Sequence, residues 1–142
     1  MLEVKRSEAG ITIAEAARRT GVSVHTLRYY ERAGLVITEV DRTQGGRRRY
    51  RQLDLDWILV CTRLRATGMP IRAIRRYAEL VADGHGNEEE RLEVMEDHRA
   101  EVLAKIEELR DNLELIDHKI GVYRGRLAAG DADRLWAPPT AP

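Results

Sequence analysis

Eleven positions near the C-terminus alternate at spacings of 3 and 4 without a slip: Leu92, Met95, Arg99, Val102, Ile106, Leu109, Leu113, Ile116, Ile120, Tyr123 and Leu127. This is a heptad a/d pattern, and all of its positions except Arg99 are apolar. The helix it predicts would run roughly 50 Å at 1.5 Å per residue. So long an apolar stripe has no partner inside a chain of 142 residues. It calls for a second copy, and a two-fold dimer is the commonest solution. Arg99 at an a position either specifies register or snorkels along the seam.

The rest of the chain has a different character. Residues 1–83 carry 16 Lys or Arg against 10 Asp or Glu, a balance of +6. Residues 84–142 carry 8 against 14, a balance of −6, so the net charge of zero hides one basic and one acidic half. That asymmetry suits a nucleic-acid-facing part joined to a solvated part. No apolar run approaches the ~20 residues needed to span a bilayer, and the N-terminus shows no signal-peptide pattern. A soluble, cytoplasmic protein without a membrane partner is the expectation. A single cysteine, Cys61, rules out an internal disulfide.

The basic half opens, after a flexible 1–10, with helix signals. Thr12 followed by Glu15 fits a capping box before a short helix over 13–20. Gly21 suits a left-handed C-terminal position. Ser23 can cap a second helix from Val24 to about Ala33, closed by Gly34. Two short helices with a glycine turn outline a helix-turn-helix, packed through Ile13, Ala16, Ala17, Val22 and Leu27. The β-branched stretch 35–40 and the segment 47–51 flank turn formers that end in Gly45-Gly46. They predict a β-hairpin, or wing. Asp54 opens a third helix with Trp57, Cys61 and Leu64 on one stripe. Pro70 starts a fourth, with Ile74, Tyr77, Ala78 and Val81 inward. Residues 83–87 read as a loop and 128–142 as a loose tail in which Trp136 alone looks able to dock.

A recognition helix offers its N-terminal turns to base edges. Here those turns carry Ser23, His25, Thr26, Arg28 and Tyr29. Arg28 suits a bidentate contact to guanine or a phosphate clamp. Tyr29 and Tyr30 lie about 100° apart on a helix, so one of them belongs to the core. On the wing, strand alternation puts Arg47 and Arg49 on one face and Arg48 and Tyr50 on the other. The cationic face suits the phosphate backbone, which adds salt-sensitive affinity without reading sequence. Arg63 and Arg65 end the third helix, where each is either a contact to a flanking phosphate or an ordinary surface charge. Cys61 is either an inert buried packing residue or, if exposed and acidified, a redox or electrophile sensor. His25, His85, His98 and His118 do not pair at metal-ligand spacing. No nucleophile motif or phosphate-cradling loop is present, so neither enzyme activity, metal nor cofactor is expected.

The segments Thr12-Ile13-Ala14-Glu15-Ala16-Ala17, Gly21-Val22-Ser23 and Thr26-Leu27-Arg28-Tyr29-Tyr30-Glu31-Arg32-Ala33-Gly34-Leu35 resemble the MerR family signature. Gly46, Arg48 and Tyr50 resemble its wing motif, and the likeness covers roughly residues 11–127. The resemblance implies a mainly α fold: a winged helix-turn-helix domain over 11–84 and a dimerisation helix over 85–127 forming an antiparallel coiled coil. It implies a homodimer on a two-fold promoter operator, and an effector that alters DNA geometry so that RNA polymerase can engage. By the same match Arg28 is a recognition-helix contact, Arg48 and Tyr50 belong to the wing, and Arg65 aligns with a basic residue that supports DNA binding. The dimer interface falls on Leu92, Met95, Val102, Ile106, Leu109, Leu113, Ile116, Ile120 and Tyr123.

Three departures narrow the reading. Arg47 stands where wings of the family often carry tyrosine. No cysteine lies near the end of the long helix, which argues against mercury, copper, zinc or iron–sulfur sensing. Residues 128–142 are too few for a separate ligand domain. Asp56-Trp57 and Thr67-Gly68-Met69-Pro70-Ile71 are similar to a branch linked to aldehyde and thiol stress, which keeps Cys61 open as an electrophile sensor. An architectural DNA-bending protein and a coiled-coil protein-interaction module remain as competing readings.

Overall fold

The computed structural model describes residues 10–38, 41, 42, 44, 46 and 48–138. They form two compact units, Met1–Arg99 and Ala100–Pro142.

In the first unit, α1 (Ile13–Thr20) begins at Thr12, whose hydroxyl accepts from the Glu15 N–H at 3.2 Å. The Glu15 carboxylate, expected to reach back to the cap, pairs instead with Arg18 and with Arg19 at 3.0 Å. These guanidiniums hold its carboxyl well below the usual range, at about 2. Gly21 (φ 71°) ends α1 in the left-handed conformation that glycine adopts without steric cost. α2 (Val24–Arg32) starts at Ser23, which accepts from the Thr26 N–H at 3.1 Å.

Over Leu35 to Thr38 the expected first wing strand is not formed; residues 39 and 40 lie outside the described residues, and the described partner of the wing is β2 (Asp41–Arg42). The reason is local. The Leu35 N–H closes the end of α2 on the Tyr30 carbonyl at 2.9 Å. The Leu35 carbonyl accepts from the Trp57 indole N–H and from the Cys61 thiol at 3.6 Å. With both backbone groups engaged and its side chain fully buried, Leu35 anchors the turn to the core.

β3 (Arg48–Tyr50) is the central strand of a three-stranded antiparallel sheet, order β1-β3-β2. The extra edge strand, β1 (Ile11–Thr12), pairs Ile11 with Tyr50 and Thr12 with Arg49. Gly10 packs over Arg49 so closely that a Cβ would lie 2.7 Å from the Arg49 Cβ. This close approach leaves no room for a side chain.

α3 (Gln52–Ala66) starts two residues before Asp54, which occupies the third helical position. Its carboxylate accepts from the Arg51 N–H at 2.8 Å and from the Thr38 hydroxyl, tying the turn after α2 to the start of α3. α4 (Ile71–Ala82) follows Pro70 at its N-cap. Ala16, Leu27, Tyr30, Leu35, Tyr50, Ile58, Cys61 and Ile74 lie in one continuous core, with Trp57 tilted against Tyr77 at 5.4 Å between centroids.

The last element of this unit is the start of α5 (Glu88–Ala129). Arg91 clamps the corner after α4, donating to Asn87 at 2.7 Å and to the Gly84 carbonyl. The first unit extends to Arg99, because Met95 packs on the core and His98 meets the Thr67 hydroxyl at 2.9 Å.

In the second unit α5 ends on Gly130 (φ 77°). The Asp131 N–H reaches the Arg126 carbonyl at 3.0 Å, and the two side chains pair at 2.7 Å. The segment expected to be loose turns through a short 3-10 helix, Ala132–Arg134. Trp136 follows, with Lys119 5.3 Å from its ring centroid, yet remains 82 % exposed. Residues 1–9 and 139–142, parts of the termini expected to be loose, lie outside the described residues. Among the described residues no helix is long and apolar enough to cross a membrane.

Candidate nucleic-acid interface

The helix-turn-helix holds α2 by its inner face. Leu27 and Tyr30 are buried, whereas Ser23, His25 and Arg28 are exposed, so the N-terminal turns present polar groups outward. Ser23 and Thr26 are tied to each other at 2.9 Å and to the cap, which fixes the first turn but engages both hydroxyls. Arg28 is thus the longest unpaired reader on this face among the groups proposed to contact bases.

The tyrosine pair divides as the helix geometry requires. Tyr30 is the core residue, its hydroxyl 3.2 Å from the Thr62 hydroxyl. Tyr29 is half-buried, and the Arg65 guanidinium lies 5.8 Å from its ring centroid and 5.6 Å from that of Tyr30. Arg65 also donates to the Tyr30 hydroxyl at 3.5 Å. Stacking on two rings pre-orders a cation that would otherwise sweep a wide arc. Arg65 therefore sits beside α2, brought there from the end of α3.

The wing departs from expectation in one respect. Tyr50 is only 2 % exposed and belongs to the core, so its ring roots β3 in the domain and does not face outward. Strand alternation correctly separated it from Arg49. Arg49 lies on the other side, half-buried, donating to the Gly10 carbonyl at 3.4 Å. Arg47, and the side chain of Arg48, lie outside the described residues.

Cys61 has no exposure at all, and burial pushes its thiol up to about 12. A reactive thiol needs access and a lowered pKa; Cys61 has neither, and it serves here as a packing residue. His98 is half-buried against Thr67. Among the described residues no three His, Cys, Asp or Glu side chains are grouped to hold a metal ion.

One positioning contact was missed by sequence reasoning. Arg75 of α4 donates through Nε to the Ala33 carbonyl at 2.7 Å, at the C-terminus of α2. A cation there complements the negative end of the helix dipole. Its only signal in the sequence is an arginine on the outward side of α4, and the 42 residues between the partners conceal the contact.

Of the expected dimer positions, Met95 is committed to the core of its own chain. Val102 is half-buried. Leu92, Ile106, Leu109, Leu113, Ile116, Ile120, Tyr123 and Leu127 are exposed.

Comparison with known proteins matches this architecture throughout. A family model for the MerR HTH family regulatory protein matches residues 11–80, and one described as MerR, DNA binding matches 55–119. An uncharacterised HTH-type transcriptional regulator of Haemophilus influenzae is 35% identical over 127 residues, 89% of this chain and 93% of that protein. Among solved structures, a MerR family regulator from Listeria monocytogenes superposes with a TM-score of 0.72 at 33% identity, covering 87% of this chain and 92% of that one. HiNmlR, described as a MerR family regulator lacking the sensor domain and bound to promoter DNA, superposes with a TM-score of 0.65 at 35% identity. The match covers 87% of this chain and 98% of that one. The exposed turns of α2, the sheet that follows them and the long α5 are the parts of a DNA-binding transcriptional regulator, and the chain belongs to the MerR family.

Proposed function

We propose that the chain acts as a homodimer on an inverted-repeat operator within a promoter. It controls access of RNA polymerase by distorting that DNA in response to an effector or stress. The observation that carries this reading is the outer face of α2: Ser23, His25 and Arg28 exposed on a helix anchored by Leu27 and Tyr30, with Arg65 stacked on Tyr29 beside it. Ser23, His25, Thr26, Arg28 and Tyr29 approach the base edges. Arg47, Arg48, Arg49 and Arg65 serve the phosphates. Tyr50 supports the wing from inside. The exposed a/d stripe of α5 supplies the dimer contact.

Support for promoter binding comes from the near-complete overlap with HiNmlR, which is described as bound to promoter DNA. Burial of Cys61 weighs against a thiol sensor.

The test is selection of bound sequences from a random duplex pool at physiological salt. Enrichment of an inverted repeat is the expected result. Binding without enrichment would favour an architectural role, and absence of duplex binding would sink the reading.

A further inference from the structure

Arg65 stands on the last turn of α3, and helix ends fray because their final carbonyls have no partner within the helix. Here that end is closed tightly. The Leu64 carbonyl accepts from the Thr67 N–H at 3.1 Å, from the Met69 N–H at 3.2 Å and from the Thr67 hydroxyl at 2.6 Å. The Arg65 carbonyl accepts from the Gly68 N–H at 2.9 Å. The Thr67 hydroxyl is also held from outside α3. Its proton goes to Leu64, so towards His98 of α5 it can only accept. His98 therefore carries its proton on Nε2 and donates it to Thr67 at 2.9 Å, across 31 residues of sequence.

The other ring nitrogen gives this bond its weight. His98 Nδ1 is buried and, among the described residues, meets no hydrogen-bond partner. An apolar side chain would fill the same half-buried seat without an orphaned nitrogen. What the histidine adds is the bond to Thr67. Other polar contacts of α5 lead elsewhere: Arg76 with Glu90 at 3.2 Å, and Arg91 with the Leu80 carbonyl at 3.4 Å, tie its start to α4. Among the described residues the bond from His98 is the one that reaches the end of α3. From that end Arg65 crosses to α2, lying over the rings of Tyr29 and Tyr30 and donating to the Tyr30 hydroxyl at 3.5 Å. A long side chain amplifies any displacement of its Cα, so a loosened last turn would lift the guanidinium off both rings.

We propose that His98 is a positioning residue for DNA binding: through Thr67 it holds the last turn of α3, and with it the seat of Arg65 on Tyr29 and Tyr30, so that phosphate contact depends on α5. The proposal rests on the reading of Arg65 as a phosphate contact and adds the residue that sets its place. His98 itself touches no DNA in this scheme. Its effect on binding passes entirely through Arg65, which separates it from a residue that merely stabilises the domain.

Two measurements on the full chain test it, one without DNA and one with it. Without DNA, the Arg65 side-chain resonances are read by NMR, since two tyrosine rings displace them from free-arginine values. His98→Ala and Thr67→Val should each move them towards those values. His98→Gln, whose amide can donate in place of Nε2, should leave them near wild type. Arg65 resonances that stay in place in His98→Ala overturn the proposal. With DNA, His98→Ala should weaken binding to operator and to random duplex about threefold to tenfold, and His98→Gln should restore it. In an Arg65→Ala background His98→Ala should add no further loss, whereas in an Arg28→Ala background it should keep its full effect. Losses of the same size in both backgrounds would show a general loosening of the domain and also overturn the proposal. If Arg65→Ala left affinity and salt slope unchanged, the phosphate reading of Arg65 would fall instead, and the resonances alone would decide whether His98 positions it.

Discussion

The roles proposed for Arg28 and Arg65 differ because their surroundings differ. Arg28 stands free on the outward turn of α2, while Arg65 is laid across two tyrosine rings. A free guanidinium over base edges discriminates between bases, and a pre-ordered one holds a phosphate. Arg28→Ala should cost about 1–3 kcal/mol on a selected operator and much less on random duplex. Arg65→Ala should weaken both equally and reduce the slope of log affinity against log salt by about 1. Competition binding over a salt series measures both, and equal losses for Arg28→Ala would make it a phosphate contact only. Cys61 makes a separate prediction. Its folded pKa lies above the unfolded value, so the stability it confers is complete below about 9 and is lost as pH rises towards about 12. Native protein at pH 8 should resist alkylation, unfolded protein should react at once, and Cys61→Ala should flatten the alkaline limb of a stability–pH profile. Rapid alkylation of folded protein would reopen the thiol-sensor role.

At the scale of elements, Asp54 ties segments together. It joins the turn after α2 to α3 through Thr38 and caps α3 through Arg51. Asp54→Ala removes two hydrogen bonds to a buried carboxylate, from the exposed Thr38 hydroxyl and the Arg51 N–H, and should cost about 1–3 kcal/mol in chemical denaturation. Thr12→Ala, the loss of one helix cap, should cost about 1 kcal/mol. A smaller loss for Asp54 than for Thr12 would contradict this account. The helices were legible because caps, glycines and periodicity are local: Thr12, Ser23, Gly21 and the stripe Trp57-Cys61 all fall where the sequence put them. The strands were less so. β-branched composition marked 35–40 as a strand, but the Trp57 indole and the α2 cap claim the backbone of Leu35. Two-residue β1 carries no pattern at all. At the site, the outward residues of α2 were readable from phase alone. Tyr50 was not, because alternation says which residues share a face but not which face meets the core. The seating of Arg65 on Tyr29 and of Arg75 on Ala33 needed the fold, since the partners lie tens of residues apart.

For the whole molecule, affinity and assembly are linked. Two recognition helices held by one dimer engage an inverted repeat together, so the second binding event is effectively intramolecular. Leu109→Glu with Leu113→Glu should yield a monomer by sedimentation, and operator affinity should fall by about 10²-fold while binding to random duplex changes little. A monomeric variant that keeps full operator affinity would remove dimerisation from the mechanism. The charge asymmetry has its place in the same scheme. In the proposed scheme the basic half supplies the attraction to DNA and the acidic half adds none.

The two tryptophans occupy opposite extremes: Trp57 is sealed in the core against Tyr77, and Trp136 stands in solvent beside Lys119. Their fluorescence is therefore separable without any label. Trp57 should emit at short wavelength and resist quenching by iodide, while Trp136 should emit at long wavelength and be quenched readily. One melting experiment, read at two colours, would then report the DNA-binding domain and the end of the long helix independently, and show which of them yields first.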